Sequence, residues 1–160
     1  MKLSAAIMTF NEERNLERTL KALADICDEI VIVDSGSTDK TKEIAEKYEA
    51  RFIYQPWLGY GKQRNAAIDN CSGKWILAVD ADEELSPELK QKITEIINGN
   101  EDKKVYEINR LSVCFGKDVR MNGKEKTIDL VKGYNLPLQE KHTELFKKDL
   151  AMFKKDFEVF

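Results

Sequence analysis

The chain has 160 residues, 42% of them hydrophobic and 34% charged, with a formal net charge of −3. That length and balance fit one globular domain with a real core and exclude a disordered chain. The negative charge disfavours a general nucleic-acid binder, because neutralising phosphates needs a basic excess, but leaves room for a local basic patch facing a phosphorylated ligand or a membrane surface.

The first 115 residues alternate in period. Leu3 to Met8 is a short apolar run and predicts a strand. Glu12 to Ala24 carries Leu16, Leu20 and Leu23 at helical spacing. Glu29 to Val33, EIVIV, predicts a second strand from its β-branched residues. Asp39 to Tyr48 predicts a helix with Ile44, Ala45 and Tyr48 on one face. Arg51 to Tyr54 reads as a third strand, Gly61 to Asn70 as a helix, and Trp75 to Val79 as a fourth strand. The next helix has Ser86 as N-cap, Pro87 at its first position, Leu89, Ile93, Ile96 and Ile97 on its apolar face, and Asn98–Gly99 as its stop. Val105 to Arg110 predicts a fifth strand. From Gly116 the rhythm is lost, and the polar stretch to Glu144 reads as a loop over the sheet. The expected organisation is an α/β core over 1–115 and a divergent segment of the same domain over 116–160.

Strand and helix in alternation, with short links, imply a mostly parallel sheet with helices on both faces. In such sheets ligands bind beyond the carboxyl ends of the strands. The first predicted strand ends at Thr9, Asn11 and Glu12, the second at Asp34, and the fourth at Asp80 and Asp82. Asp34 has two readings. It can accept hydrogen bonds from a base N–H or ribose hydroxyls, or it can close an Asx-turn. Asp39 reads as the cap of the following helix. In extended backbone Asp80 and Asp82 point to the same side. Their hard oxygens suit Mg²⁺ or Mn²⁺, and a divalent ion would relieve their repulsion and bind a diphosphate. The alternative is a solvated acidic loop. Glu83 and Glu84 read as charges favourable ahead of the helix that follows. GYGKQRNAAI, residues 59 to 68, sets Lys62 and Arg64 near a helix start, either to meet a phosphate group or as a solvated face.

Other chemistries lack their motifs. No GxGxxG follows the first strand, no GxxxxGK[ST] is present, and no GxSxG accompanies His142, the single histidine. Cys27, Cys71 and Cys114 show neither zinc spacing nor a disulfide framework and read as buried free thiols. The longest apolar run, Trp75 to Val79, falls far short of the ~20 residues that cross a bilayer. The opening MKLSAAIMTFNEER turns charged too early for a signal-peptide core, so the default expectation is a cytoplasmic location.

Four segments, MTFNEERNL, VIVDSGSTDKT, PWLGYGKQRNAA and GKWILAVDADEELSPEL, resemble in order and spacing the N-terminal half of a family 2 glycosyltransferase of GT-A fold. The nearest likeness is to the lipopolysaccharide core β-1,4-glucosyltransferases. The resemblance implies an inverting transfer of a sugar, glucose by this likeness, from a UDP-sugar donor to a lipid-linked or core oligosaccharide acceptor at the inner membrane face. It implies that Thr9, Asn11 and Glu12 line the nucleotide pocket and that Asp34 lies near the uracil or ribose. Lys62, Arg64 and Asn65 would face the base, ribose or diphosphate. Asp80 would approach the ribose or the metal, and Asp82 would hold a Mn²⁺ or Mg²⁺ ion. Where many members have a second Asp, this chain has Ser35. The resemblance lapses over residues 121 to 144 and identifies no general base, although Glu140, Glu144, Asp149 and Asp156 are available carboxylates. Lys147, Lys148, Lys154 and Lys155 would be the peripheral contact to anionic lipid, or plain surface lysines. Two other readings stand beside the transferase: a catalytically weak relative acting as a nucleotide-sugar-binding module, and a sugar nucleotidyltransferase, against which NEERN stands where a Gly-rich loop would be.

Overall fold

The computed structural model describes residues 2–99 and the strands at 105–109, 112–114, 117–119 and 126–132. His142, the tail lysines, the four candidate carboxylates and the Cys114 thiol lie outside the described residues. The elements in chain order are β1 (Leu3–Thr9), α1 (Leu16–Ala24), β2 (Glu29–Asp34), α2 (Thr41–Lys47), β3 (Arg51–Tyr54), α3 (Tyr60–Asp69), β4 (Trp75–Asp80), α4 (Pro87–Asn98), β5 (Val105–Asn109), β6 (Ser112–Cys114), β7 (Lys117–Val119) and β8 (Lys126–Lys132).

The main sheet runs β3-β2-β1-β4-β8-β5. Its first four strands are parallel, as the alternation predicts. The polarity of residues 116–144 predicts a loop; instead β8 pairs antiparallel with both β4 and β5. The overlooked signal is the run TIDLV, too short to stand out in a polar stretch but enough for a strand with a partner on each side. Helix α1 begins at Leu16 instead of Glu12, because Asn11 takes a left-handed φ of 56° and the Glu12 carbonyl first accepts the amides of Asn15 and Leu16.

The period of two in the strands sorts the core into two layers. Leu3, Ala5 and Ile7 of β1 and Trp75, Leu77 and Val79 of β4 pack with Leu16, Leu20 and Leu23 of α1 and Ile93 and Ile96 of α4. On the other face Ala6, Val33, Ile76 and Ala78 pack on Ala67 and Ile68 of α3. Each fully buried Leu or Ile contributes about 1.5–3 kcal/mol, so the larger layer dominates stability. Ser86 caps α4 as expected, its hydroxyl accepting the Leu89 amide at 3.2 Å. No helix among the described residues is long and apolar enough to cross a membrane. Cys27 and Cys71 are half-buried thiols, and burial pushes the Cys27 thiol up to about 12.

The amino edge of the sheet is closed by carboxylates. Glu29 accepts the Ser4 hydroxyl at 2.5 Å and the amide and hydroxyl of Ser72 at 2.8 and 2.9 Å. Asp28 accepts the amides of Leu3 and Lys2. Those amides hold the Asp28 carboxyl below its ordinary range. Burial pushes Glu29 up, but Ser4, Ser72 and Arg51 outweigh it, and its net shift is also downward. Both groups therefore stabilise the fold above their unfolded pKa of about 4, and that stability is lost as pH falls through the lower folded values. Thermal melting should show a flatter acid dependence in an Asp28→Asn/Glu29→Gln double variant, together with a lower melting temperature at pH 7. An unchanged slope below pH 5 would contradict this assignment.

Candidate functional site

At the opposite, carboxyl edge, the chain leaves β1 toward β2, whereas β4 lies on the other side of β1. The strand order thus reverses between β1 and β4, which is where open α/β sheets bind ligands. A cleft of about 860 Å³ lies over this point. Its floor is the end of β1, with Met8, Thr9, Phe10 and Glu12. One wall is Asp80, Ala81 and Asp82 after β4. The other combines Ser35 after β2 with Trp57 from the link between β3 and α3 and Tyr60 at the start of α3. Trp57 and Tyr60 meet edge to face, ring centroids 4.9 Å apart.

Asp34 is 2% exposed. Its Oδ1 accepts the amides of Gly36 and Ser37, both at 2.8 Å, and its Oδ2 accepts the hydroxyls of Ser37 and Thr9. It forms the Asx-turn, the second of the two sequence readings, and locks Thr9, a cleft residue, to the β2 loop; its oxygens face these protein donors and it does not line the cleft. Asn11 staples the same loops: its amide donates to Ser37 Oγ at 2.7 Å and its side-chain carbonyl accepts from the Thr38 amide at 2.9 Å. Glu12 reaches the cleft while its amide donates to Thr41 Oγ1. Asp39 is expected to cap α2 but stands one residue ahead of the N-cap, Lys40; it still accepts from Thr41 at the helix start, and also accepts the Glu13 amide. Burial raises its carboxyl, but these hydrogen bonds outweigh burial and hold it below the ordinary value.

Asp80 and Asp82 both line the cleft. Arg64 reaches across from α3 and pairs with Asp80 at 2.8 Å, both side chains being more than two-thirds buried. Asp82 is exposed. The turn between them is held from below by α1: Thr19 Oγ1 donates to the Ala81 carbonyl at 2.8 Å and Arg18 to the Asp82 carbonyl at 3.2 Å. Lys62 is exposed and Asn65 half-buried on α3; neither lines the cleft, and nor do Asn11, Asp34 and Arg64. Among the described residues, no group of three His, Cys, Asp or Glu side chains is placed to hold a metal ion.

Sequence reasoning missed two supports. Glu83 is buried, not a solvated charge before α4: its Oε2 accepts the Asp80 amide while its own amide donates to the Asp80 carbonyl. Only the Glu half of a capping box is made, the Glu83 amide going to the Asp80 backbone carbonyl and not to its carboxylate, but the spacing D-x-x-E could have flagged it. Gln63 is fully buried and ties three segments together.

Comparison with known proteins fits this geometry. Glycosyl transferase family 2 matches residues 4–152. An uncharacterized glycosyltransferase of Rickettsia bellii is 39% identical over 153 residues, covering 95% of this chain and 48% of that protein. The lipopolysaccharide core biosynthesis glycosyltransferase LpsC of Rhizobium meliloti is 36% identical over 121 residues, covering 72% of this chain and 44% of LpsC. The chain spans about half the length of these relatives. Among solved structures, S. aureus TarS 1–349 in complex with UDP-GlcNAc superposes with a TM-score of 0.60 at 29% identity, over 76% of this chain and 37% of that one. M. tuberculosis glucosyl-3-phosphoglycerate synthase, in complex with Mn²⁺, UDP and glucosyl-3-phosphoglycerate, shares the fold, with a TM-score of 0.54 at 22% identity over 65% of this chain and 42% of that one. With the parallel sheet and its strand-end cleft, these matches show that the chain belongs to glycosyl transferase family 2 and has the GT-A fold.

Proposed function

We propose that the chain moves a sugar from a UDP-sugar to a glycan or lipid-linked core acceptor of envelope polysaccharide or lipopolysaccharide synthesis, with inversion at the anomeric carbon. The observation that carries this reading is the cleft at the β1/β4 switch point, with Asp82 exposed on one wall and an aromatic wall opposite. The similarity to LpsC supports the acceptor class, and the similarity to TarS with UDP-GlcNAc supports the donor class.

The residues present fit a divalent ion of the Mg²⁺ or Mn²⁺ kind. Such ions take one or two carboxylates from a protein and complete their shell with substrate phosphates and water. Asp82 would hold the ion. Asp80, already paired with Arg64, would serve the ribose or reach the ion only in exchange for that pair. The ion would offset charge that develops on the leaving diphosphate.

The chain's own residues do the rest. Thr9 and Glu12 line the floor, and the Asp34 and Asn11 networks fix the loops around it, so the donor meets a preformed surface. Arg64, behind the cleft lining, offsets the charge of Asp80 through their pair and so lowers the repulsion an anionic leaving group would meet there. The acceptor hydroxyl attacks the anomeric carbon in line as the bond to UDP breaks on the opposite side, its proton passing to a general base on the acceptor side.

Release of UDP from UDP-glucose and other UDP-sugars, measured with and without Mn²⁺ and a lipopolysaccharide-core acceptor, tests the reading. The expected result is UDP release that requires the ion and rises with acceptor. Ion-dependent binding of UDP-sugar without release or transfer would overturn the transferase reading in favour of a binding module.

A further inference from the structure

The face of α1 that carries Leu16, Leu20 and Leu23 into the core also carries a hydroxyl, that of Thr19, and all four residues are fully buried. A helical threonine can return its hydroxyl to the carbonyl four residues back. Thr19 instead donates out of its helix, to the Ala81 carbonyl at 2.8 Å. Ala81 is itself buried, so water would not replace that hydroxyl if it were lost. Arg18, at the exposed flank, donates to the next carbonyl, that of Asp82, at 3.2 Å, and its Nε lies 3.5 Å from Glu84. Two adjacent residues of one helix thus hold two successive carbonyls of the strand-end turn.

Those carbonyls belong to the two peptide units that flank the Asp82 Cα. A peptide unit is planar, so only φ and ψ at the Cα are soft. Holding both planes sets both angles, and with them the direction in which Cβ leaves the backbone. Glu83 closes the same turn locally: its amide donates to the Asp80 carbonyl at 3.1 Å and its Oε2 accepts the Asp80 amide at 2.9 Å. The Asp82 side chain lines the cleft, and its aim follows from that backbone. We propose that Thr19, with Arg18 beside it, is a positioning residue of the ion site: α1 clamps the peptides on either side of Asp82 and so presents its carboxylate to a divalent cation in a preset direction. Thr19 is sealed from the cleft and acts only through Asp82. Groups that orient a metal's ligand are worth about 10–100-fold in metal affinity. This rests on the reading of Asp82 as the ion's ligand in a UDP-sugar site.

The test is titration of the 160-residue chain with Mn²⁺ in the presence of UDP, read from the paramagnetic resonance of the free ion and corrected by a titration of UDP alone. Thermal melts confirm folding, and binding is measured well below the melting temperature, where a loss of stability alone leaves affinity unchanged. Thr19→Val keeps the volume and removes the hydroxyl, and should lower Mn²⁺ affinity at least about tenfold. Thr19→Ser, which returns the hydroxyl, should retain it. Arg18→Met changes an exposed side chain and leaves the core intact. It removes a positive charge, which by Coulomb attraction alone would tighten cation binding; the clamp predicts the opposite, binding weaker by about threefold. Wild-type or tighter Mn²⁺ affinity in folded Thr19→Val, or in Arg18→Met should Thr19→Val not fold, would overturn this inference and leave the ion site standing. Failure of wild type to bind Mn²⁺ with UDP would overturn both.

Discussion

Asp82→Ala is expected to reduce sugar transfer by at least about a hundredfold, the scale of losing one preorganised electrostatic partner of a developing charge. It should also abolish the Mn²⁺ dependence of UDP binding. The fold should be unaffected. The Asp82 side chain is exposed, and the contact that fixes the turn is made by its backbone carbonyl to Arg18, which alanine preserves. Exposed substitutions of this kind change stability by only about 0.5 kcal/mol. Initial rates, binding isotherms and a thermal melt on the same preparation check all three points. Retained ion-dependent UDP binding in the variant would remove Asp82 from the metal role.

Asp34→Asn should be costly in the opposite way, through the fold. The carboxylate accepts two hydrogen bonds on each oxygen. An amide in its place presents N–H₂ to one pair of donors whichever way it turns. At 2% exposure water cannot repair the mismatch. The expected loss is about 3 kcal/mol, or roughly 10 °C in melting temperature for a chain of this size. UDP affinity should fall with it, because Thr9 and the β2 loop lose their common anchor. A variant that melts like wild type and binds UDP normally would show that the network does not hold the cleft.

Most of the sheet was legible because its signals are local. β-branched runs such as EIVIV and the cap-and-proline start of α4 specify their elements without tertiary context, and the strand-end rule then points to Thr9, Glu12, Asp80 and Asp82. What was not legible depended on partners distant in sequence. Gln63 looks like one more polar residue between Lys62 and Arg64. Only its i,i+4 relation to Ala67, on the face that packs against the sheet, marks it as buried. The pairing of Arg64 with Asp80 requires knowing that α3 crosses beside β4, which no spacing reveals. β8 is stabilised by a neighbour on each side more than by its own composition.

The most direct test is a crystal structure of the chain with UDP and Mn²⁺. The account predicts the diphosphate and ion against Asp82 and the ribose near Asp80 and Thr9. Nucleotide bound away from the β1/β4 crevice, or an ion that does not touch Asp82, would contradict it.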